Sequence, residues 1–256
     1  MVNRIIILGC LILFAGCVSD RPSAHFGNAD KEKLLQAQID LGIGYIRNGE
    51  YQRAKENLTK AMDLDQRSPI VHNAFGLLFQ LEGEDALAEE HFRKAVRFDP
   101  DFSQARNNFG AFLFEQERYE ESIEQLQAAA EDRFYRGRSS SFENLGVSYL
   151  RLDRLEEAEA AFTRAIELNP AQSRSLLELA YLRFDAQNYV SARDLYIRYM
   201  TVASQNARSL WLGIRIARRF NDQDAEASYK LMLRNIFPAS EEYKSLQESE
   251  RESGGE

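Results

Sequence analysis

A small residue recurs along this chain at an interval close to 34 residues, and this repeat constrains the fold more than any other feature of the sequence. The recurring positions are Gly42, Gly76, Gly110, Gly146, Ala180 and Gly213. Their successive separations are 34, 34, 36, 34 and 33 residues. A constant period of this length is typical of repeat proteins, in which each unit buries its apolar face against its neighbours. The sequence therefore predicts a solenoid.

Three further positions recur in phase with the first. Twelve residues after each member comes a second small residue: Ala54, Ala88, Ser122, Ala158, Ala192 and Ala225. Sixteen residues after it comes a bulky residue: Leu58, Phe92, Leu126, Phe162, Tyr196 and Tyr229. Nineteen residues after it come Ala61, Ala95, Ala129, Ala165, Tyr199 and Met232. Pro100 and Pro170 close the second and fourth units, as expected where a helix ends.

This arrangement resembles the tetratricopeptide repeat (TPR), in which each unit is a pair of antiparallel helices, A and B. The resemblance implies an all-α, right-handed superhelical solenoid of about six helix-turn-helix repeats over residues 30–240. The units are predicted at residues 35–68, 69–102, 103–136, 139–172, 173–205 and 206–239. We expect the glycine of helix A to face the small residue of helix B, and the bulky residue to fill the seam to the next unit.

The N-terminal segment is typical of a secreted bacterial protein. Arg4 precedes an apolar run, Ile5–Phe14, which is too short to span a bilayer as a helix. The run ends in Leu13–Cys17, a stretch that resembles the bacterial lipobox. We therefore predict a lipoprotein signal peptide over residues 1–16 and a lipid anchor on Cys17. The alternative is a plain secretory peptide in which this cysteine is incidental.

Two segments flank the repeats and one interrupts them. Residues 17–29 are predicted to be a flexible tether, and residues 241–256 an acidic, disordered tail. The interruption is Asp132–Ser140, which adds two residues between units three and four and carries Arg133, Arg136 and Arg138. It is either a longer solvated turn or a contact for a partner or a phospholipid.

The residue inventory argues against catalysis. The net charge is −8, and no basic patch favours nucleic acid. The only cysteines are Cys10 and Cys17. The three histidines, His25, His72 and His91, do not have the spacing of a metal site. No nucleophile lies beside a base in a recognisable pattern. We therefore expect a protein-binding scaffold and not an enzyme, with no cofactor, no metal and no small-molecule substrate.

In a TPR solenoid, helix A lines the concave face near the second, fifth, ninth and twelfth positions of each unit. The predicted partner-binding groove is lined by Ile39, Ile43, Ile46, Asn73, Leu77, Asn107, Asn108 and Phe114. The isoleucines of unit one form one apolar stripe, which suits an amphipathic helix or an extended apolar peptide. The alternative is that the tether or a capping edge covers them. The seam between units one and two is predicted at Leu41, Gly42, Tyr45 and Leu58.

Four asparagines form a second set on the A helices: Asn73, Asn107, Asn108 and Asn144. An amide side chain both donates and accepts hydrogen bonds. These residues therefore either bind the backbone of a ligand or bridge neighbouring helices, and the sequence leaves both possibilities open.

A narrower resemblance rests on particular stretches of the chain. They are Ala-Arg-Asn-Asn-Phe-Gly-Ala-Phe-Leu at 105–113, Phe-Glu-Asn-Leu-Gly at 142–146 and Phe-Pro-Ala-Ser-Glu at 237–241. Together with the lipobox and the six units, they resemble the PilF/PilW family of type IV pilus biogenesis lipoproteins over residues 1–241. The chain departs from that pattern in unit five, where Arg183 stands at a usually aromatic position.

The resemblance implies a pilotin, an outer-membrane lipoprotein that faces the periplasm. Such a protein would bind the secretin subunit of the pilus machinery and help it to reach the membrane and to multimerise, which permits pilus extrusion and twitching motility. Val18, where an Asp would favour retention in the inner membrane, also points to the outer membrane. The alternative is an adaptor for another envelope machine, in outer-membrane protein assembly or peptidoglycan hydrolase scaffolding.

Overall fold

The computed structural model describes residues 27–254 of the protein. Within these residues the chain forms thirteen α-helices and no β-strand. The helices are α1 (Asn28–Arg47), α2 (Tyr51–Leu64), α3 (Pro69–Glu82), α4 (Asp85–Phe98), α5 (Ser103–Glu115), α6 (Tyr119–Glu131), α7 (Arg138–Arg151), α8 (Leu155–Leu168), α9 (Ser173–Asp185), α10 (Tyr189–Val202), α11 (Ala207–Arg219), α12 (Gln223–Ile236) and α13 (Glu241–Gly254). The prediction of an all-α fold is confirmed.

The first twelve helices form six antiparallel pairs that follow the predicted units. Each odd-numbered helix is the A helix of its unit, and a turn of two or three residues joins it to the even-numbered B helix. The A helices contact one another in succession along the whole chain, whereas neighbouring B helices do not. This asymmetry curves the stack, so the A helices line the concave face and the B helices the convex face.

The recurring glycines allow close approach, but not mainly to the small residue that the sequence suggested. A Cβ added to Gly76 would lie 2.6 Å from the ring of Phe92, and one added to Gly110 would lie 2.6 Å from Leu126. The backbone oxygen of Ser122, the small residue of that unit, is farther away at 3.1 Å. The bulky side chain of helix B therefore fills the space above the glycine within its own unit, as well as reaching the seam.

The turn between helices A and B needs a left-handed backbone residue in every unit. Gly49 and Gly83 meet this need in units one and two, each with φ of 76°. The later units place other residues there, all with φ between 56° and 60°: Glu117, Asp153, Gln187 and Asn221. Glycine adopts this conformation without a steric penalty, whereas a residue with a Cβ is strained by it. The first two turns are therefore the better matched to their geometry.

The C-terminal segment corrects a prediction. Residues 241–256 were expected to be a disordered tail, yet Glu241–Gly254 form α13, which packs against α11 and α12. Leu246 is 2% exposed and belongs to one cluster with Leu210, Ile214 and Leu233. The mostly charged composition hid a short apolar stripe, since Tyr243 and Leu246 lie one turn apart on the same helix face. This stripe covers the end of the solenoid.

Candidate protein-binding surface

The concave wall of unit one is only partly open. Ile39 is 2% exposed because its side chain packs from α1 against Leu58 of α2 and Phe75 of α3, in one core cluster. The prediction that Ile39 lines an open groove is therefore wrong. Ile43 and Ile46 are half-buried: each packs against the same cluster and keeps part of its side chain accessible. Beside them, a Cβ on Gly44 would meet nothing within 4 Å, so this part of the wall faces open space.

The seam predicted for unit one is wrong at one residue. Gly42 and Leu58 are buried and Tyr45 is half-buried, but Leu41 is 47% exposed. The corresponding residues of the later units are all buried: Phe75, Phe109, Leu145, Leu179 and Leu212. In each of those units a preceding B helix covers the position, and unit one has no preceding unit among the described residues. This position therefore faces the previous unit and not the next one.

The asparagines bridge neighbouring A helices. The Asn108 amide donates to Oδ1 of Asn73 across 3.0 Å, which joins α5 to α3. Asn107 Oδ1 accepts from the Ser141 hydroxyl at 2.9 Å and from the Asn144 amide at 3.5 Å, which joins α5 to α7. Asn73 and Ser141 are buried, so these bonds satisfy groups that would otherwise be unpaired. Of the two possibilities that the sequence left open, bridging is the one present in the structure.

Charged side chains that were not predicted from the sequence extend these hydrogen bonds between A helices into the later units. Glu143 accepts two hydrogen bonds from Ser175, one from its backbone N–H at 3.0 Å and one from its hydroxyl at 2.8 Å. Glu178 pairs with Arg208, whose Nη2 lies 2.7 Å from a carboxylate oxygen. Glu143 occupies the same unit position as Asn73 and Asn107, so the signal was present as a recurring polar residue on helix A. These contacts fix the spacing of the concave wall.

A small cavity of about 170 Å³ opens on the concave face between α5, α7 and α9. It is lined by Ala111, Phe114, Glu115, Asn144, Val147 and Arg174. Phe114 is half-buried, with its ring 5.4 Å from that of Tyr119 and the guanidinium of Arg151 5.9 Å away. The predicted groove residue Leu77 is also half-buried and packs against the Phe92 cluster. The cavity thus combines an apolar floor with charged edges.

A larger cleft of about 470 Å³ lies in units four to six, around the unit that departs from the PilF/PilW pattern. Tyr181 forms one wall, and its hydroxyl donates to the backbone oxygen of Arg208 at 2.5 Å. The Arg208 guanidinium lies 4.4 Å from the centre of the tyrosine ring. Burial raises the pKa of Tyr181, so this hydroxyl stays protonated as a donor. Arg183, the departure noted in the sequence, forms an ion pair with Glu159 at 2.6 Å.

A histidine pair in unit two is structural. Nδ1 of His72 lies 3.1 Å from Nδ1 of His91, and Nε2 of His72 lies 3.1 Å from the carbonyl oxygen of Gln66. A carbonyl only accepts, so His72 carries its proton on Nε2 and His91 donates to it. Burial lowers the pKa of His72, and burial with the neighbouring His72 lowers the pKa of His91 to about 4. Both rings are neutral at pH 7.

The described part of the chain offers no metal site and no membrane span. Between residues 27 and 254, no group of three or more His, Cys, Asp or Glu side chains is placed to hold a metal ion. None of the helices in that range is both long and apolar enough to cross a bilayer. The predicted lipidation site, Cys17, lies outside the described residues.

Comparisons with known proteins agree with the repeat architecture. Tetratricopeptide-repeat family profiles match residues 39–102, 101–171 and 143–208. The type IV pilus assembly protein PilF of Pseudomonas aeruginosa is 41% identical over 217 residues, which cover 85% of this chain and 86% of PilF.

Solved structures extend the likeness to three dimensions. The structure of Pseudomonas aeruginosa PilF matches with a TM-score of 0.84 at 40% identity, over 86% of this chain and 99% of that one. The structure of PilW, a widely conserved type IV pilus biogenesis factor, matches with a TM-score of 0.72 at 25% identity, over 84% and 99% of the two chains. The likeness therefore covers the whole solenoid and not only a few repeats.

Proposed function

This chain belongs to the PilF/PilW family of type IV pilus biogenesis proteins, and we propose that it acts there as a pilotin, a lipid-anchored adaptor of the outer membrane. In this role it binds the secretin subunit, brings it to the outer membrane and promotes its multimerisation. The observation that carries the proposal is the 41% identity to PilF, which spans 85% of this chain and 86% of PilF. The activity is binding and not catalysis.

The anchor follows from the N-terminal sequence. Leu13–Cys17 has the lipobox pattern, and acylation of Cys17 would leave a short tether before α1 at Asn28. Several acyl chains hold a protein on a membrane far more firmly than one chain does. An anchored adaptor can then escort an attached secretin subunit to the same membrane.

The partner surface that we propose is the accessible part of the unit-one wall. Ile43 and Ile46 lie one turn apart on α1, and the open space at Gly44 leaves room for a bound segment. Apolar anchors in a shallow groove commonly carry much of an interface's binding energy. Because the asparagines and Glu143 are engaged with neighbouring helices, the accessible parts of the two isoleucine side chains remain as the contact groups. An amphipathic or extended apolar segment of the secretin fits this surface.

A double variant, Ile43→Gln with Ile46→Gln in the full-length lipoprotein, tests the surface. Secretin co-purification and multimer formation are expected to be lost. Because both side chains also touch the core, we expect stability to fall by no more than about 2 kcal/mol. The matched control is Leu87→Gln with Leu168→Gln, two leucines of the B helices that are 40% and 39% exposed. That control should retain secretin binding.

Two results would contradict the proposed binding surface. If the Ile43 and Ile46 variant unfolds, these side chains are part of the core and the surface is misplaced. If it folds and still binds secretin, the cavity beside Phe114 is the next surface to test.

A Cys17→Ser variant separates anchoring from binding, since it should lose fatty-acid labelling and outer-membrane fractionation while the solenoid still binds secretin in solution. Persistent labelling of that variant would refute the lipid anchor.

A further inference from the structure

The loop between α6 and α7 presents an aromatic side chain to solvent to an unusual degree. Phe134 is 97% exposed, whereas the next most exposed large apolar side chain in the described residues, Ile236, is 59% exposed. Phe134 occupies the unit position at which Pro100 and Pro170 close units two and four. Full exposure of a phenylalanine is unfavourable in water, so burial of this ring against another apolar phase would be favourable.

The loop holds this side chain outward through a fixed set of hydrogen bonds. The Asp132 carboxylate accepts from the backbone N–H of Phe134 at 2.9 Å and from the hydroxyl of Ser103 at 2.6 Å. The backbone N–H of Tyr135 donates to the Asp132 carbonyl at 3.2 Å, and Nε of Arg138 donates to the Ala130 carbonyl at 2.5 Å. The exposed ring therefore stands on an ordered loop.

Two free cations flank the exposed ring. Arg133 and Arg136 are both exposed, and neither guanidinium forms an ion pair or a hydrogen bond with any residue between 27 and 254. By contrast, Arg118, Arg154 and Arg208 each pair with a glutamate. An aromatic ring between two unpaired arginines matches the membrane interface, where the ring sits at headgroup level and the guanidinium groups meet lipid phosphates.

The topology puts this loop on the edge of the solenoid from which the N-terminal segment leaves. Every A helix begins, and every B helix ends, on this edge, so Asn28 and the 132–137 loop lie on the same side. Three steps between packed A helices separate α1 from α7, which is about 24–30 Å at 8–10 Å a step. Cys17 and Asn28 are eleven residue steps apart, and a chain of that length reaches at most about 40 Å. Anchoring at Cys17 and contact at Phe134 are therefore compatible with one bilayer.

We propose that the 132–137 loop is a second membrane contact, which inserts Phe134 into the interfacial layer of a phospholipid bilayer and sets Arg133 and Arg136 on lipid phosphates. The inference rests on the proposed lipid anchor, because one aromatic ring alone binds a bilayer weakly. Attachment at two points along one edge would restrict the rotation of the solenoid relative to the membrane. The concave face would then open sideways along the bilayer, toward a partner in the same membrane.

Depth-dependent quenching tests this contact without relying on acylation. Residues 1–17 are replaced by a hexahistidine tag, which leaves the whole described fold intact, and the protein is held on vesicles of phosphatidylethanolamine and phosphatidylglycerol that contain a nickel-chelating lipid. Trp211→Phe removes the single native tryptophan, and Phe134→Trp places a reporter on the loop. Gln66→Trp is the matched control, since it occupies the same unit position on the same edge and lies closer to the tether.

The expected result is a blue-shifted emission of the Phe134→Trp protein that brominated phospholipid quenches, with no such change for Gln66→Trp. Adding Arg133→Gln and Arg136→Gln should reduce the quenching several-fold on anionic vesicles. Absence of quenching for Phe134→Trp, or equal quenching of both reporters, would overturn the proposal. An emission shift that appears only when purified secretin is added would overturn it in favour of a protein contact. Because the tag supplies the attachment, a failure here is distinct from a failure of acylation at Cys17.

Discussion

The two ends of this solenoid are finished in different ways. At the C-terminal end, α13 covers the last repeat: Leu210, Ile214 and Leu233 are each 0% exposed, and Leu246 of α13 is 2% exposed. At the N-terminal end, the outer face of α1 leaves Leu34 37% exposed and Leu41 47% exposed. Within the described residues, the outward side of the terminal repeat is therefore covered at the C-terminal end and open at the N-terminal end.

This difference separates a C-terminal end that its own last helix covers from an N-terminal end that keeps apolar side chains accessible among the described residues. A repeat array needs a polar cap because its terminal repeat would otherwise expose a face designed to pack on a neighbour. The C-terminal helix supplies such a cap, with Lys244, Gln247 and Glu248 on its exposed side. Unit one has the open outer face and also the half-buried, partly accessible Ile43 and Ile46 on its inner face. Unit one, the repeat nearest the predicted anchor, therefore has accessible apolar side chains on both its outer and its inner face.

The largest expected effect is at the capped end. Leu246→Ala removes the one fully buried apolar side chain of α13 and leaves a cavity against Leu210 and Leu233. We expect a loss of about 2–5 kcal/mol in the unfolding free energy of this end. Urea denaturation should show a lower midpoint, and hydrogen exchange should increase in α11 and α12 before it increases in α3.

The control for the cap is Lys244→Ala on the exposed face of the same helix. Its only ion pair with a residue between 27 and 254 is with Glu241, where the two side chains are 59% and 83% exposed, so its loss should leave the urea midpoint nearly unchanged. If Leu246→Ala behaves like this control, α13 does not act as a cap, and the contrast between the two ends fails.

A smaller effect should distinguish the N-terminal half by its response to pH. His72 and His91 in unit two have pKa values below the ordinary 6.5, because burial disfavours their charged forms. The unfolded chain therefore binds protons that the folded chain excludes. The stabilisation is full above about pH 6.5 and is lost as the pH falls toward 4. The urea midpoint should be lower at pH 5 than at pH 7, and on lowering the pH hydrogen exchange should increase first in α3 and α4.

A His91→Phe variant is the test of this assignment. The ring replaces one that already packs 5.0 Å from Phe75 and 5.4 Å from Phe79, so the aromatic contacts are kept. The variant should show a weaker dependence of stability on pH between 7 and 5. An unchanged pH dependence would mean that the pair is not its source, and that the two halves do not differ in this respect.

The repeat period was enough to predict the fold, since it reports local packing that every unit shares. Four positions in phase predicted six helix pairs, and α3 and α9 begin at Pro69 and Ser173, the first residues of their predicted units. The sequence could also place the asparagines on the concave side of the A helices. It could not show that Asn107 bonds Ser141 and Asn144, because the same amide serves a ligand or a neighbouring helix equally well.

The errors lie where the chain departs from an interior repeat. Ile39 was predicted to line the groove because concave positions were assigned by a rule for middle units. In those units Asn73 and Asn107 make polar bridges there, whereas in unit one an apolar side chain packs into the core instead. The acidic tail was predicted to be disordered because its sequence is mostly charged and polar. A single leucine in so short a segment, Leu246, did not indicate the burial that the structure shows. The burial of a residue in a terminal unit depends on which neighbouring unit is absent, and the repeat period carries no information about that.

The smallest expected effect is at the open end, and it decides whether that end is open in the complete protein. Leu41 is 47% exposed, so Leu41→Ser should lower the unfolding free energy by no more than about 1 kcal/mol, well below Leu246→Ala. The comparison is sharpest when both variants are made in the full-length chain and their urea midpoints are measured side by side. Equal losses would show that something covers Leu41 in the full-length protein and that both ends are capped. A small loss, joined to unchanged secretin binding, would place the outer face of α1 in solvent and leave the inner wall at Ile43 and Ile46 as the working surface of unit one.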